Sequence, residues 1–115
     1  MITDVTDRTF DRLVEEATVP VLVEFWKPGC GSCRALLRQL VGVQEETAGK
    51  LLVVKMNVEE NHQIPAELEI SSLPVLALYR RGRFDRFIGG IGTREALLAQ
   101  LTTLLDAHGA GDLDS

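Results

Sequence analysis

Apolar and polar positions along the chain alternate between two periods, and the changes of period mark out nine elements. Residues 2–5 form a short apolar-rich stretch that predicts an edge strand, and Thr6 then stands where a helix cap is expected. Phe10, Leu13, Val14 and Ala17 follow at the i, i+3, i+4, i+7 spacing of one helix face. Pro20 resets the chain, and Val21–Trp26 is almost continuously apolar and β-rich, as a strand covered on both faces must be. Downstream, Leu36, Leu37, Leu40, Val41 and Ala48 predict the buried face of a long helix, with Arg38, Gln39, Glu45 and Glu46 outward and Gly49 at its end. Residues 51–56 read as a second buried strand, and a short helix fits between Asn61 and Ile70 with Pro65 near its first turn. Residues 75–79 and 84–88 flank Arg80-Arg81-Gly82-Arg83 in a strand, turn, strand pattern. Thr93 caps a last helix whose core stripe is Leu97, Leu101, Leu104 and Leu105, and residues 107–115, rich in Gly and Asp, read as a flexible tail.

The order β-α-β-α-β-α-β-β-α demands parallel crossovers early and an antiparallel hairpin late. Helices must then cover both faces of a mixed sheet, which makes the fold class α/β. One domain, residues 1–106, accounts for the chain: 115 residues suffice for a single core, and 45% hydrophobic with 25% charged residues excludes disordered and fibrous classes. No run approaches the length that crosses a bilayer, and the start lacks the basic and apolar regions of a leader, so a cytoplasmic location is expected. The net charge of -5 disfavours nonspecific binding to nucleic acid or an anionic membrane; Arg80 to Arg83 is a basic patch, read as a solvated turn.

Chemistry concentrates in Cys30-Gly31-Ser32-Cys33, the only cysteines, placed between the apolar strand and the long helix. In the first turn of a helix this spacing brings two sulfurs within disulfide reach, and the unpaired backbone N–H groups favour a thiolate at Cys30. Zinc uses the same spacing but needs four ligands, and beyond the thiols the chain offers only His62 and His108, neither in a ligand-like cluster. A purely structural role is equally poor, because so small a ring removes little entropy from the unfolded chain. Reversible redox chemistry with no metal or added cofactor is the reading that survives.

Together with these cysteines, Phe10, Glu24-Phe25-Trp26, Arg34, Lys55-Met56-Asn57-Val58, the stretch 70–73, Pro74 and Gly89-Gly90 resemble the thioredoxin family over nearly the whole length. The resemblance implies a five-stranded mixed sheet with four helices, and dithiol-disulfide exchange with protein substrates. It implies that Cys30 attacks and Cys33 resolves, and that Glu24 is the buried acid beneath the motif with Lys55 beside it on the neighbouring strand. A surface ion pair between Glu24 and Lys55 is the alternative. Pro74 takes the place of the family's cis-proline, although an X-Pro bond is trans by default. Gly29, Gly31, Ser32, Val58, Leu73, Pro74, Gly90 and Ile91 are expected to form the substrate surface, with Trp26 as structural support; for Val58 a purely core role is an equal alternative.

Three positions depart from the family: Gly29 replaces a tryptophan, Ser32 the proline inside the motif, and Arg38 the proline of the second helix. Glu24 also stands where aspartate is usual. The leading reading is a monomeric general disulfide reductase, recharged by a flavin-dependent thioredoxin reductase. A specialised oxidoreductase of less reducing potential, with few partners, is the second, and a noncatalytic adaptor or chaperone on the same fold is the third.

Overall fold

The early strands pair in parallel because helices carry the chain back between them, and the computed structural model shows the resulting frame for residues 2–89 and 92–114, with side chains to Asp106. In chain order the elements are β1 (Thr3–Asp4), α1 (Asp7–Glu16), β2 (Val21–Trp26), α2 (Gly31–Glu46), β3 (Leu52–Asn57), α3 (Gln63–Glu67), β4 (Val75–Arg80), β5 (Arg83–Ile88) and α4 (Arg94–Asp114). The five strands lie in the order β1-β3-β2-β4-β5. β1, β3 and β2 run parallel, whereas β4 is antiparallel to β2 and to β5. The expected α/β fold, a mixed five-stranded sheet with four helices, is therefore what the chain forms.

β2 sits at the centre, and its uninterrupted apolarity follows from cover on both sides. On one face Leu22 packs with Leu36, Leu40 and Val43 of α2 and with Leu97 and Leu101 of α4. On the other, Val21, Val23 and Phe25 pack with Phe10 and Val14 of α1 and Ile64 of α3. Since β2 alternates between these layers, Glu24 belongs to the α2/α4 side with Leu22. The sheet register places Asp4, Lys55, Glu24, Leu76 and Ile88 in one row across all five strands. Polarity falls along that row from the solvent edge to the core.

Turn chemistry sets the ends. Arg81 and Gly82 both take positive φ, 54° and 78°, which is the twist a two-residue hairpin between β4 and β5 needs. The Thr9 hydroxyl accepts a hydrogen bond from the Thr6 N–H at 3.2 Å, closing the start of α1, and the Thr93 hydroxyl caps α4 by accepting from the Ala96 N–H at 3.1 Å.

One element expectation is corrected. The buried face of α2 is Cys33, Leu36, Leu40 and Val43, continued by Thr47, while Val41 is 39% exposed and Ala48 lies outside. Helical geometry places Val41 and Ala48 away from the stripe that Cys33 begins, and the Thr47 hydroxyl is accommodated inside by donating to the Val43 carbonyl at 2.8 Å. At the other end, the α4 backbone is helical from Arg94 to Asp114.

Candidate active site

Cys30 and Cys33 are joined in a disulfide, with their Cα atoms 5.2 Å apart. β2 ends at Trp26, and four residues later Cys30 occupies the N-cap of α2. Its sulfur accepts a hydrogen bond from the Cys33 backbone N–H at 3.1 Å, the capping geometry that leaves a sulfur at the donor-rich end of the helix. Cys33, one turn into the helix, is only 2% exposed, and Cys30 is half-buried. The two thiols are thus chemically unequal by position alone.

The Ser32 hydroxyl lies 3.6 Å from the Cys30 sulfur. The backbone donor to that sulfur is the N–H of Cys33, which would be present whatever residue stood at 32; what serine adds is the hydroxyl. Gly29 takes φ +84° with no atom near its absent side chain. A tryptophan there would find room but would strain the backbone.

A groove of about 370 Å³ opens beside the disulfide, lined by Cys30, Gly31, Ser32, Val58, Ile70 and Leu73 among others. The Leu73–Pro74 bond is cis, as the resemblance implies, and Pro74 lines an adjoining cleft of about 260 Å³ that shares Ile70, Ser71 and Ser72 with the first. Val58 both packs against the α1/α3 core and lines the groove. Gly90 and Ile91 lie outside the described residues. Sequence reasoning overlooked Lys27, Pro65, Ser71 and Ser72 as groove residues; the serines immediately precede the Leu-Pro pair, and that adjacency was the available signal.

Glu24 is 1% exposed, and neither carboxylate oxygen has a protein hydrogen-bond partner. Burial pushes its carboxyl up to about 8 from an ordinary 4.5, opposed by the Lys55 charge on β3. The expected pairing of Glu24 with Lys55 in register is present, but not as a surface ion pair. The Lys55 ammonium lies instead 3.4 Å from the Asp4 carboxylate and 5.0 Å from the centre of the Trp26 ring. Asp4 also accepts the Trp26 indole N–H at 3.1 Å. Asp4 escaped sequence reasoning because nothing in a two-residue edge strand signals which neighbour its side chain meets.

Among the described residues no cluster of histidine, cysteine, aspartate and glutamate is arranged to hold a metal, and no helix is long and apolar enough to cross a membrane. The thioredoxin family model matches residues 1–103. The chain is 38% identical over 98 residues to a thioredoxin of Rickettsia felis, covering 85% of this chain and 93% of that one. It is 39% identical over 88 residues to thioredoxin 1 of a Nostoc species, at 76% and 82% coverage, and 36% identical over 105 residues to thioredoxin 1 of Synechococcus elongatus, at 90% and 94%. With the sheet order, the capping cysteine and its buried partner in place, these matches make the chain a member of the thioredoxin family, a protein thiol-disulfide oxidoreductase working through the Cys30–Cys33 pair.

Proposed function

We propose that the protein is a general reductant of protein disulfides in which Cys30 attacks, Cys33 resolves and Glu24 accepts the resolving proton. The observation that carries this reading is the inequality of the sulfurs: Cys30 caps α2 at the mouth of the groove, whereas Cys33 is 2% exposed and cannot meet a folded substrate. In the reduced enzyme the Cys30 thiolate attacks one substrate sulfur, forming a mixed disulfide and expelling the other as a thiolate. Cys33 then transfers its proton to Glu24 in its ionised form, the minor fraction at neutral pH of a carboxyl that titrates at about 8, and attacks the Cys30 sulfur. That breaks the mixed disulfide, releases the second substrate thiolate, and leaves the enzyme disulfide seen in the structure. Two electrons pass from the enzyme dithiol to the substrate.

Exposed Gly31 and Ser32 leave a substrate backbone free to approach Cys30, and Val58, Leu73 and Pro74 supply apolar surface for its side chains. Trp26, the last residue of β2 before the motif, is held by its indole bond to Asp4. Thioredoxin reductase is the partner the family implies; a flavin-dependent form would return the electrons to a monomer in the cytoplasm, the compartment in which such a pair is catalytic rather than structural.

Acceleration of insulin disulfide reduction by dithiothreitol is the expected result, and absence of acceleration would favour the adaptor reading. A second reading within the same chemistry, a specialised partner of less reducing potential, is favoured by the Ser32 hydroxyl beside the Cys30 sulfur. Equilibration with glutathione buffers separates the two.

A further inference from the structure

The mechanism leaves one charged cluster unused, at the solvent end of the row that crosses the sheet. Asp4 on β1, Lys55 on β3 and Glu24 on β2 are successive register neighbours, so one ammonium stands between two carboxylates. Lys55 does not divide itself evenly. Its ammonium is 3.4 Å from the Asp4 carboxylate and stacked over Trp26, whereas Glu24 has no hydrogen-bond partner. Asp4 is itself held in place, because its other oxygen accepts the Trp26 indole N–H.

The remaining surroundings of Glu24 offer no substitute for Lys55. β4 brings Leu76 alongside in register, and the cluster on this face of the sheet, with Leu36 and Leu40 of α2 and Leu97 and Leu101 of α4, is apolar. The charge that acts on Glu24 is Lys55, with Asp4 behind it in the row; the two cysteines stand at the start of α2, which packs on this face, and titrate only when reduced. Burial sets the proton affinity of Glu24 first, and the charge that can then alter it is the Lys55 ammonium.

We propose that Asp4 is a positioning residue of the reaction: it draws Lys55 to the sheet edge, over the Trp26 ring, and so keeps the Glu24 carboxylate free of an ion pair when it takes the proton that Cys33 must lose. Its side chain is 51% exposed, against 20% for Lys55, so the acceptor buried at the centre is tuned from the solvent edge through one intermediate cation. With Asp4 neutralised, Lys55 turns to Glu24. An opposite charge close to a carboxylate lowers its pKa by roughly one to three units. The proposal rests on Glu24 being the acceptor, and the experiment separates the two.

Titration of the Glu24 carboxyl carbon by NMR in the oxidised protein, its resonance assigned by Glu24→Gln, reads proton affinity without any reaction. Asp4→Asn is expected to lower the midpoint by about one unit or more, Asp4→Ala to do the same, and Lys55→Met to raise it. In the Lys55→Met background Asp4→Asn is expected to do nothing, and the pH profile of mixed-disulfide resolution should move with the carboxyl titration. An unchanged midpoint in both Asp4 variants overturns the proposal. So does an equal shift with and without Lys55, because Asp4 would then act on Glu24 directly. Glu24→Gln is expected to slow resolution on the order of 100-fold; if it does not, the acceptor reading falls, and with it the catalytic meaning of Asp4, whatever the titration shows.

Discussion

Cys30 and Cys33 share one chemistry and differ in surroundings. The first caps a helix and lines a groove, and the second is buried beneath the turn it begins. In the reduced protein Cys30 should be alkylated first by iodoacetamide at neutral pH, with Cys33 modified only slowly. Mass mapping after a brief pulse checks this, and preferential labelling of Cys33 would reverse the assignment. The same inequality predicts that Cys33→Ser accumulates mixed disulfides with substrates while Cys30→Ser does not. Beside Cys30, the Ser32 hydroxyl at 3.6 Å can donate to the thiolate of the reduced form and stabilise the dithiol. Since roughly 1.4 kcal/mol corresponds to about 30 mV in a two-electron couple, one partly solvated bond is worth tens of millivolts. Ser32→Ala should therefore be more reducing than the wild type by that amount, and Ser32→Pro at least as much. A variant potential that stays in place or becomes less negative defeats the argument.

Among the elements, α3 is the one whose existence depends most on a partner. It spans five residues, Gln63–Glu67, too few to be stable alone, and its N-cap His62 makes no side-chain capping bond. The cap comes from another helix. Asp7, the first residue of α1, accepts from the Gln63 and Ile64 backbone N–H groups through its two carboxylate oxygens, each at 2.9 Å. Its own N–H donates to Asn61, whose amide donates in turn to the Asn57 carbonyl. Asp7→Ala should cost about 1 to 2 kcal/mol in urea unfolding, the usual scale of a lost cap. Because α3 carries Pro65 into the groove wall, substrate KM should rise more than kcat falls. An Asp7→Ala variant as stable as the wild type would show that water replaces the cap. Local spacing reveals a helix between Asn61 and Ile70; a contact across more than fifty residues is invisible to it.

At the scale of the whole molecule, Glu24 couples the redox site to folding. Its carboxyl holds a proton to about pH 8 in the folded protein and only to about 4.5 when unfolded, so between those values the folded state binds one proton more. The folded state is then favoured most below 4.5, and this contribution is lost as pH rises through about 8. The slope can reach about 1.4 kcal/mol per pH unit for one proton. Glu24→Gln removes the titration without changing the size of the side chain. Unfolding free energies compared at pH 5 and pH 9 should therefore show the wild type losing stability relative to the variant, and parallel profiles would mean that Glu24 titrates normally.

How much of this was legible in the chain depends on range. Period and propensity determined the nine elements, the central place of Val21–Trp26, the Arg81-Gly82 turn and the redox pair, because each depends on residues within a few positions of one another. The family resemblance supplied the cis bond at Pro74 and the burial of Glu24, which composition alone leaves open. Only the tertiary structure decided which stripe of α2 turns inward, since Val41 and Val43 are equally apolar in sequence and only packing against the sheet distinguishes them. The same holds for Lys55. Register alone sets it between Asp4 and Glu24, two carboxylates twenty residues apart in the chain, and its choice of the exposed one follows from where the ammonium keeps solvent and the Trp26 ring as neighbours.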